Sequence, residues 1–281
     1  MKYFLKNNTI TFLALQCSLQ SFFDQYILSK KYQHLLIQEK RVLVDGIYGK
    51  RESFINNKLE IIFKEENIEA KEIDIDIQIY YEDEFCLVAY KPYGLLVHDD
   101  GNDSLNLKDI LISKYHQELY PIHRLDKETQ GLVFFCKHIE FQALFDKMLF
   151  DKKIKREYLA YVEGNLKENN TFTVKTNISK DRYNSKKMIV AEKGKQAISE
   201  FTCLKNQDNK SLVSVNLKTG RTHQIRVHCA YINHPIIGDS LYGDGKGEMA
   251  LYAYKLSFYH PFLEKKIEID CLDKIKSLGL L

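Results

Sequence analysis

The chain has 281 residues, 44% of them hydrophobic and 28% charged, with a formal net charge of +3. That balance fits a globular protein with one large domain and a small one. It excludes a membrane-spanning class, because no apolar run approaches the roughly 20 residues of a span. Met1–Asn8 lacks the long apolar core of a secretory signal, so a cytoplasmic location is expected. The six cysteines, at 17, 86, 136, 203, 229 and 271, form no CxxC and read as reduced core thiols rather than as a zinc or redox pair. A charge of +3 neither requires nor excludes a nucleic acid, since local clustering decides that.

Residues 1–70 make a first unit. Leu19, Phe22, Phe23, Tyr26 and Ile27 recur at helical spacing behind Ser18, a good N-cap. A second short helix is expected over about 31–39. Arg41-Val-Leu-Val-Asp-Gly46 reads as a strand entering an Asp-Gly turn, and Leu59–Phe63 as a closing strand. The polar, acidic stretch 65–76 reads as a linker. This order resembles, in degenerate form, the small S-four RNA-binding module. Where that module opens its second helix with Ser-Arg, this chain has Ser29-Lys30-Lys31, which keeps the charge but gives up a bidentate phosphate grip.

Residues 77–281 make the second unit. Phe85–Tyr90 is a buried strand leading into Lys91-Pro-Tyr-Gly-Leu-Leu-Val-His98, where Pro92 and Gly94 end the ladder and turn the chain. Helices are expected over 105–115 and 138–151, the second with Phe141, Leu144, Phe145 and Met148 on one face and a basic end, Lys152–Arg156. Between them, His123-Arg-Leu-Asp-Lys-Glu-Thr-Gln-Gly131 is a charged loop feeding the apolar strand Leu132–Cys136. A carboxylate there is fixed by a rigid strand yet open to substrate; an ion pair with neighbouring Arg124 is the plainer alternative. Glu157–Gly164 is a strand that places Tyr158 opposite Leu159. The basic stretch 175–195 suggests a hairpin excursion able to touch phosphates through Lys186 and Lys187. Residues 197–204 and 212–217 read as adjacent strands, Gly220–Ala230 as a turn and helix, and 251–259 and 266–270 as closing strands. Because regular helices do not separate the strands, the fold class is α+β: a mixed, mostly antiparallel sheet with flanking helices, plus the small α/β N-terminal unit.

GxxxxGK[ST], GxGxxG after a strand and GxSxG are all missing, so the common nucleotide and nucleophile-elbow sites are not written here. His223 and His228 are five apart with no completing carboxylate or thiol, so no metal site is expected. Five motifs agree in order with one family: Lys91–His98, His123–Gly131, Arg156-Glu-Tyr-Leu-Ala160, Gly220-Arg-Thr-His-Gln-Ile-Arg-Val-His228 and His234-Pro-Ile-Ile-Gly-Asp239. On these the chain resembles the RluA-like pseudouridine synthases over about 83–272. Gln130 departs from the pattern, which usually has Ser there.

The resemblance implies isomerisation of a uridine within RNA, ribosomal or transfer, by a monomer without metal or organic cofactor. It implies that Asp126 is the catalytic carboxylate, attacking covalently or removing the 2′ proton. Arg226 is implied as its ion-pair partner, Tyr158 as the ring stacked on the detached base, and Arg124 as the group filling the gap left by the flipped nucleotide. Further substrate contacts are expected from His123, which more plausibly shapes its loop than acts as a base, from Ile225 as an apolar wall, and from Arg221, Lys91, Lys186 and Lys187. The S-four-like unit leans the target toward large-subunit ribosomal RNA. The competing reading is a non-catalytic RNA-binding or ribosome-assembly protein, which would have no need of the aspartate, tyrosine and arginine together. A carbohydrate hydrolase fits poorly, because it needs a second acid.

Overall fold

Asn7 and Asn8, both with positive φ, turn the chain back on itself at its start. The resulting hairpin, β1 (Lys2–Lys6) with β2 (Thr9–Leu13), was not expected, although an Asn-Asn pair between β-forming residues is a turn signal. The structure is a computed structural model that describes residues 1–64, 68 and 72–277. The N-terminal unit continues through β3 (Cys17–Ser18), α1 (Leu19–Tyr26), α2 (Lys30–Gln38), β4 (Val42–Val44), β5 (Ile47–Tyr48), β6 (Phe54–Ile55) and β7 (Lys58–Ile62). Ser18 caps α1 by accepting the Ser21 N–H at 3.1 Å, and Leu19, Phe22, Phe23 and Tyr26 are its buried face. Asp45 and Gly46 both take positive φ, making the tight turn expected between β4 and β5. The Lys30 ammonium is held by Asp24 at 2.6 Å, so it is not one of the unit's unpaired cations. Half of the expected linker, 65–67 and 69–71, lies outside the described residues.

The remainder runs β8 (Ile79–Glu82), β9 (Cys86–Lys91), α3 (Leu107–Tyr115), β10 (Tyr120–Pro121), β11 (Gln130–Cys136), α4 (Ile139–Phe150), β12 (Ile154–Glu163), β13 (Thr171–Lys180), β14 (Met188–Val190), β15 (Lys195–Gln207), β16 (Lys210–Leu217), α5 (Gln224–Tyr231), β17 (Leu251–His260), β18 (Lys265–Asp270) and α6 (Leu272–Ser277). Among the described residues eleven of these strands form one sheet, with the path β14-β13-β15-β16-β12-β17-β11-β9-β8 and with β10 and β18 paired beside β11 and β17. Every pairing is antiparallel except β11 with β17, which meet in parallel at Gln130–Tyr252 and Gly131–Ala253. The α+β, mostly antiparallel expectation holds. No helix of the described residues is long and apolar enough to cross a membrane.

Both faces of the sheet are covered, which is why β9 and β11 are buried at every position. One face carries Leu87, Ala89, Val133, Phe135 and Tyr158 under α3 and α5. The other carries Val88, Tyr90, Phe134 and Leu159 against α4, and its core runs on into the N-terminal unit. Phe262 stacks on Phe85 at 3.9 Å and on Tyr26 of α1 at 5.2 Å, Phe63 stacks on His138 at 3.6 Å, and Arg41 pairs with the buried Glu140 at 2.8 Å. The two units therefore share a single apolar core.

The pairing of β12 with β17 breaks register between Glu157 and Tyr158. Tyr254 of β17 sits unpaired between the partners Lys255 and Ala253. A regular strand would put Ile154 and Tyr158, four apart, on one face. Here Ile154 faces the N-terminal side and Tyr158 the opposite side. The irregularity re-aims the tyrosine.

Candidate active site

The loop before β11 is tied down on three sides. The Thr129 N–H bonds the Asp126 carbonyl at 3.0 Å, the Gly94 N–H bonds the Lys127 carbonyl at 3.0 Å, and His123 Nε2 accepts the Phe134 N–H at 3.3 Å. Gly131 then enters the strand at φ +123°, where a Cβ would stand 2.3 Å from the Ala253 carbonyl oxygen. Only glycine lets the loop end so close to β17.

Across from it, Gln224 fixes the turn into α5. Its amide oxygen accepts from Thr219 Oγ1 (2.7 Å) and the Arg221 N–H (3.0 Å), and its amide nitrogen donates to the Ile198 carbonyl and to Ser199 Oγ. That places Arg226 on the first turn, with a side chain only 3% exposed. Its guanidinium forks onto Asp239, Nε to Oδ2 and Nη2 to Oδ1, both at 2.7 Å. Nη2 also donates to Glu128 at 2.8 Å. Asp126, 22% exposed, lies 3.6 Å from Nη1. Burial works against this charge, but the hydrogen bonds and charge of Asp239, with Asp126 and Glu128, hold the guanidinium above its ordinary pKa. The expected meeting of Asp126 and Arg226 across a hundred positions is present, with one correction: the bidentate partner of Arg226 is Asp239. A buried fork needs a buried carboxylate, and Asp239 is fully buried while Asp126 faces the cleft.

The cleft has a volume of about 850 Å³. Asp126, Tyr158, Arg226, Arg124, Ile225, Arg221 and His123 all line it, together with Lys152, Lys155 and Arg156. Tyr158 is buried, and desolvation outweighs the opposing pull of Arg156 to raise its hydroxyl pKa, with the charge of Asp126 adding to the rise. It is a neutral phenol. Burial first, and then the charge of Arg156, push the His123 imidazole down to about 3. It is neutral, with one nitrogen spent on β11. Arg124 is exposed at the rim, and Arg221 is steadied by the Gln196 carbonyl at 3.0 Å.

Three expected substrate contacts are placed differently. Lys91 is fully buried and does not line the cleft. Its ammonium donates to the carbonyls of Pro92, Leu95 and Lys127 at 3.0, 2.7 and 3.0 Å, so it braces the turn beside Asp126. Lys186 sits on the exposed turn between β13 and β14, away from the cleft lining. Lys187 lies over the Tyr242 ring at 5.1 Å and is not among the residues that line the cleft.

Sequence reasoning missed Glu128, Asp239, His223 and Tyr242. The Tyr242 ring also meets the centre itself: Arg226 Cζ is 5.4 Å from the ring centroid. The Tyr242 hydroxyl accepts the Met188 N–H at 2.7 Å and meets His223 Nδ1 at 3.0 Å. The other ring nitrogen of His223 faces Asp126 at 3.9 Å. Glu128, His223 and Asp239 each lay inside one of the ordered motifs, which was the available signal. Nothing local marked Tyr242.

A second polar cluster, Asp83, Cys86 and His260, has ligand atoms close enough for a metal ion. Its valences are otherwise used. His260 Nδ1 accepts the N–H groups of Phe262 and Leu263, so Nε2 carries the hydrogen and donates to Asp83 at 3.0 Å. Burial keeps the Cys86 thiol protonated. The cluster is a buried hydrogen-bond knot.

Comparison with known proteins agrees with this geometry. The family model described as RNA pseudouridylate synthase matches residues 85–231. The chain is 34% identical over 260 residues to the ribosomal large subunit pseudouridine synthase D of Borreliella burgdorferi, covering 83% of this chain and 77% of that one. It is 34% identical over 203 residues to an uncharacterised RNA pseudouridine synthase of Bacillus subtilis, covering 68% and 67%. Among solved structures, the human RNA pseudouridylate synthase domain containing protein 1 superposes with a TM-score of 0.62 at 22% identity, over 70% of this chain and 83% of that one, which shows a common fold. The chain belongs to the RNA pseudouridylate synthase family and is an isomerase that acts on RNA.

Proposed function

We propose that Asp126 is the catalytic carboxylate and that the cleft around it takes a uridine flipped out of the RNA. The observation that carries this is the convergence of Asp126, Tyr158 and Arg226 in one basic cleft, with Arg226 already neutralised by Asp239. Asp126 is then left open to the sugar. In the reaction the N1–C1′ bond breaks, the base turns, and a C5–C1′ bond forms; the C5 hydrogen leaves as a proton and N1 gains one. Asp126 acts at the sugar, either by attack on C1′ or by removing the 2′ proton. The Tyr158 ring holds the free base by its face and so leaves it able to rotate. Being a neutral phenol, it must give up its own proton before it can take one from C5. Arg124, at the rim, stacks in the gap the nucleotide leaves and reaches phosphates.

The test is release of tritium from RNA labelled at uracil C5. Asp126→Asn is expected to abolish release while RNA binding persists. Pseudouridine formed by that variant would remove Asp126 from the reaction, and an inert wild-type protein that still binds RNA would favour the non-catalytic reading.

For the target we propose large-subunit ribosomal RNA, supported by the name of the Borreliella relative. The unit over 1–70 serves as an S-four-like RNA contact for the catalytic unit over 77–281, in a monomer working in the cytoplasm. Mapping pseudouridines in cells with and without this gene tests the target: loss of transfer RNA sites alone would overturn it.

A further inference from the structure

A second groove, of about 840 Å³, adjoins the catalytic cleft. Tyr26 of α1 and Met148 of α4 line its floor, Lys153 and Tyr259 stand on its sides, and Lys155 lines both the groove and the cleft. We propose that this groove carries single-stranded RNA running on from the processed uridine. The inference rests on the Asp126 cleft being where that uridine is handled, and it extends the substrate path beyond it.

Charge and aromatic placement both support RNA. Lys152, Lys153 and Lys155 make no ion pair or hydrogen bond through their side chains among the described residues. Of the nearby carboxylates, Glu264 holds the Met1 amine at 2.8 Å and Glu268 holds Lys266 at 2.9 Å, while Asp146 stands on the cleft side, where burial raises its pKa. Lys152, Lys153 and Lys155 outnumber it, so the net free charge along the path is positive. Between these lysines stand two exposed rings. Phe150, 85% exposed, lines the cleft side. Tyr259, 57% exposed, lines the groove side, with its hydroxyl tied to the Glu264 carbonyl at 2.6 Å. Cations beside solvent-facing rings suit unpaired bases, which offer faces for stacking, and not a duplex, whose faces are already used. The shared core of the two units keeps the groove walls fixed, so a strand pays little to order them.

The experiment uses the full chain and two RNA probes: a uridine-containing stem-loop short enough to end in the cleft, and the same stem-loop with oligouridine flanks. Tyr259→Ala and Lys153→Ala change exposed side chains, and their melting curves are checked against the wild type. Each is expected to raise Kd and KM for the flanked RNA, by about tenfold for Tyr259→Ala, with kcat unchanged and the short stem-loop unaffected. Lys153→Ala is expected to flatten the slope of log Kd against log salt for the flanked RNA by about 0.7. Equal losses on both RNAs, or no loss on either, would overturn the proposal. So would polyglutamate occupying the groove with the affinity for flanked RNA unchanged, which would assign the face to a protein. If the wild type releases no tritium from either RNA, it is the reading of the cleft that fails.

Discussion

Asp239→Asn separates structural from catalytic carboxylates around Arg226. The Asp239 carboxylate accepts both 2.7 Å bonds of the guanidinium fork and the N–H groups of Leu241 and Tyr242 at 2.9 and 3.1 Å. In the asparagine one oxygen becomes an NH2 that turns hydrogens toward the hydrogens of Arg226. One charge-assisted bond goes, worth about 1.5–3 kcal/mol, and a buried cation loses its fully buried counter-charge. Glu128 at 2.8 Å offsets part of that. The net cost is about 3 kcal/mol, or roughly 6–12 °C in melting temperature for a chain of this size. Asp126→Asn should cost no more than about 1 kcal/mol, because its carboxylate is partly solvated and only loosely paired, yet it should abolish turnover. Thermal melts and tritium release, run side by side on both variants, read the two effects. Equal destabilisation by the two variants, or an Asp239→Asn protein that melts with the wild type, would refute this division of roles.

Three further outcomes are expected. Gly131→Ala drives a Cβ into the Ala253 backbone and should cost well above about 3 kcal/mol, whereas Gly94→Ala, with φ +77° but open space, should cost about 1–2 kcal/mol; urea midpoints compare them. Lys91→Met keeps the bulk but strands three carbonyls, so about 3 kcal/mol of stability should be lost, with reduced turnover because Lys127 adjoins Asp126. Burial opposes ionisation of Asp83, but hydrogen bonds from His260, Tyr81 and the Phe85 N–H win, holding it at about 2. Its folded pKa lies below the ordinary carboxylate value. The stability it supplies, roughly 2 kcal/mol, is therefore present above about pH 4 and lost as pH falls toward 2, and Asp83→Asn should flatten that limb of the melting-temperature profile.

Local pattern carried most of the elements. The α1 stripe, the Asp45-Gly46 turn and the buried β11 each depend on residues a few positions apart, and all were legible. The aspartate, tyrosine and arginine came into view through ordered motifs. What stayed hidden depended on contacts distant in sequence. The irregularity that re-aims Tyr158 arises from one extra residue in β17, almost a hundred positions away. Lys91 looked like a substrate contact because a lone lysine in a loop motif gives no sign that three carbonyls surround it. Asp239 and Glu128 joined Arg226 from two other loops, and charge alone could not say which of three carboxylates is buried.

The shared core between the N-terminal unit and the catalytic sheet has a consequence for substrate choice. A module on a flexible tether meets partners over a range of spacings, each at its own effective concentration. A module fused through Phe262, Phe85 and Tyr26 offers one spacing. Any RNA that touches both surfaces at once must present its uridine at that fixed distance and angle from the second contact. With the N-terminal unit as the proposed second contact, the fused units would act as a caliper that selects RNA by its shape.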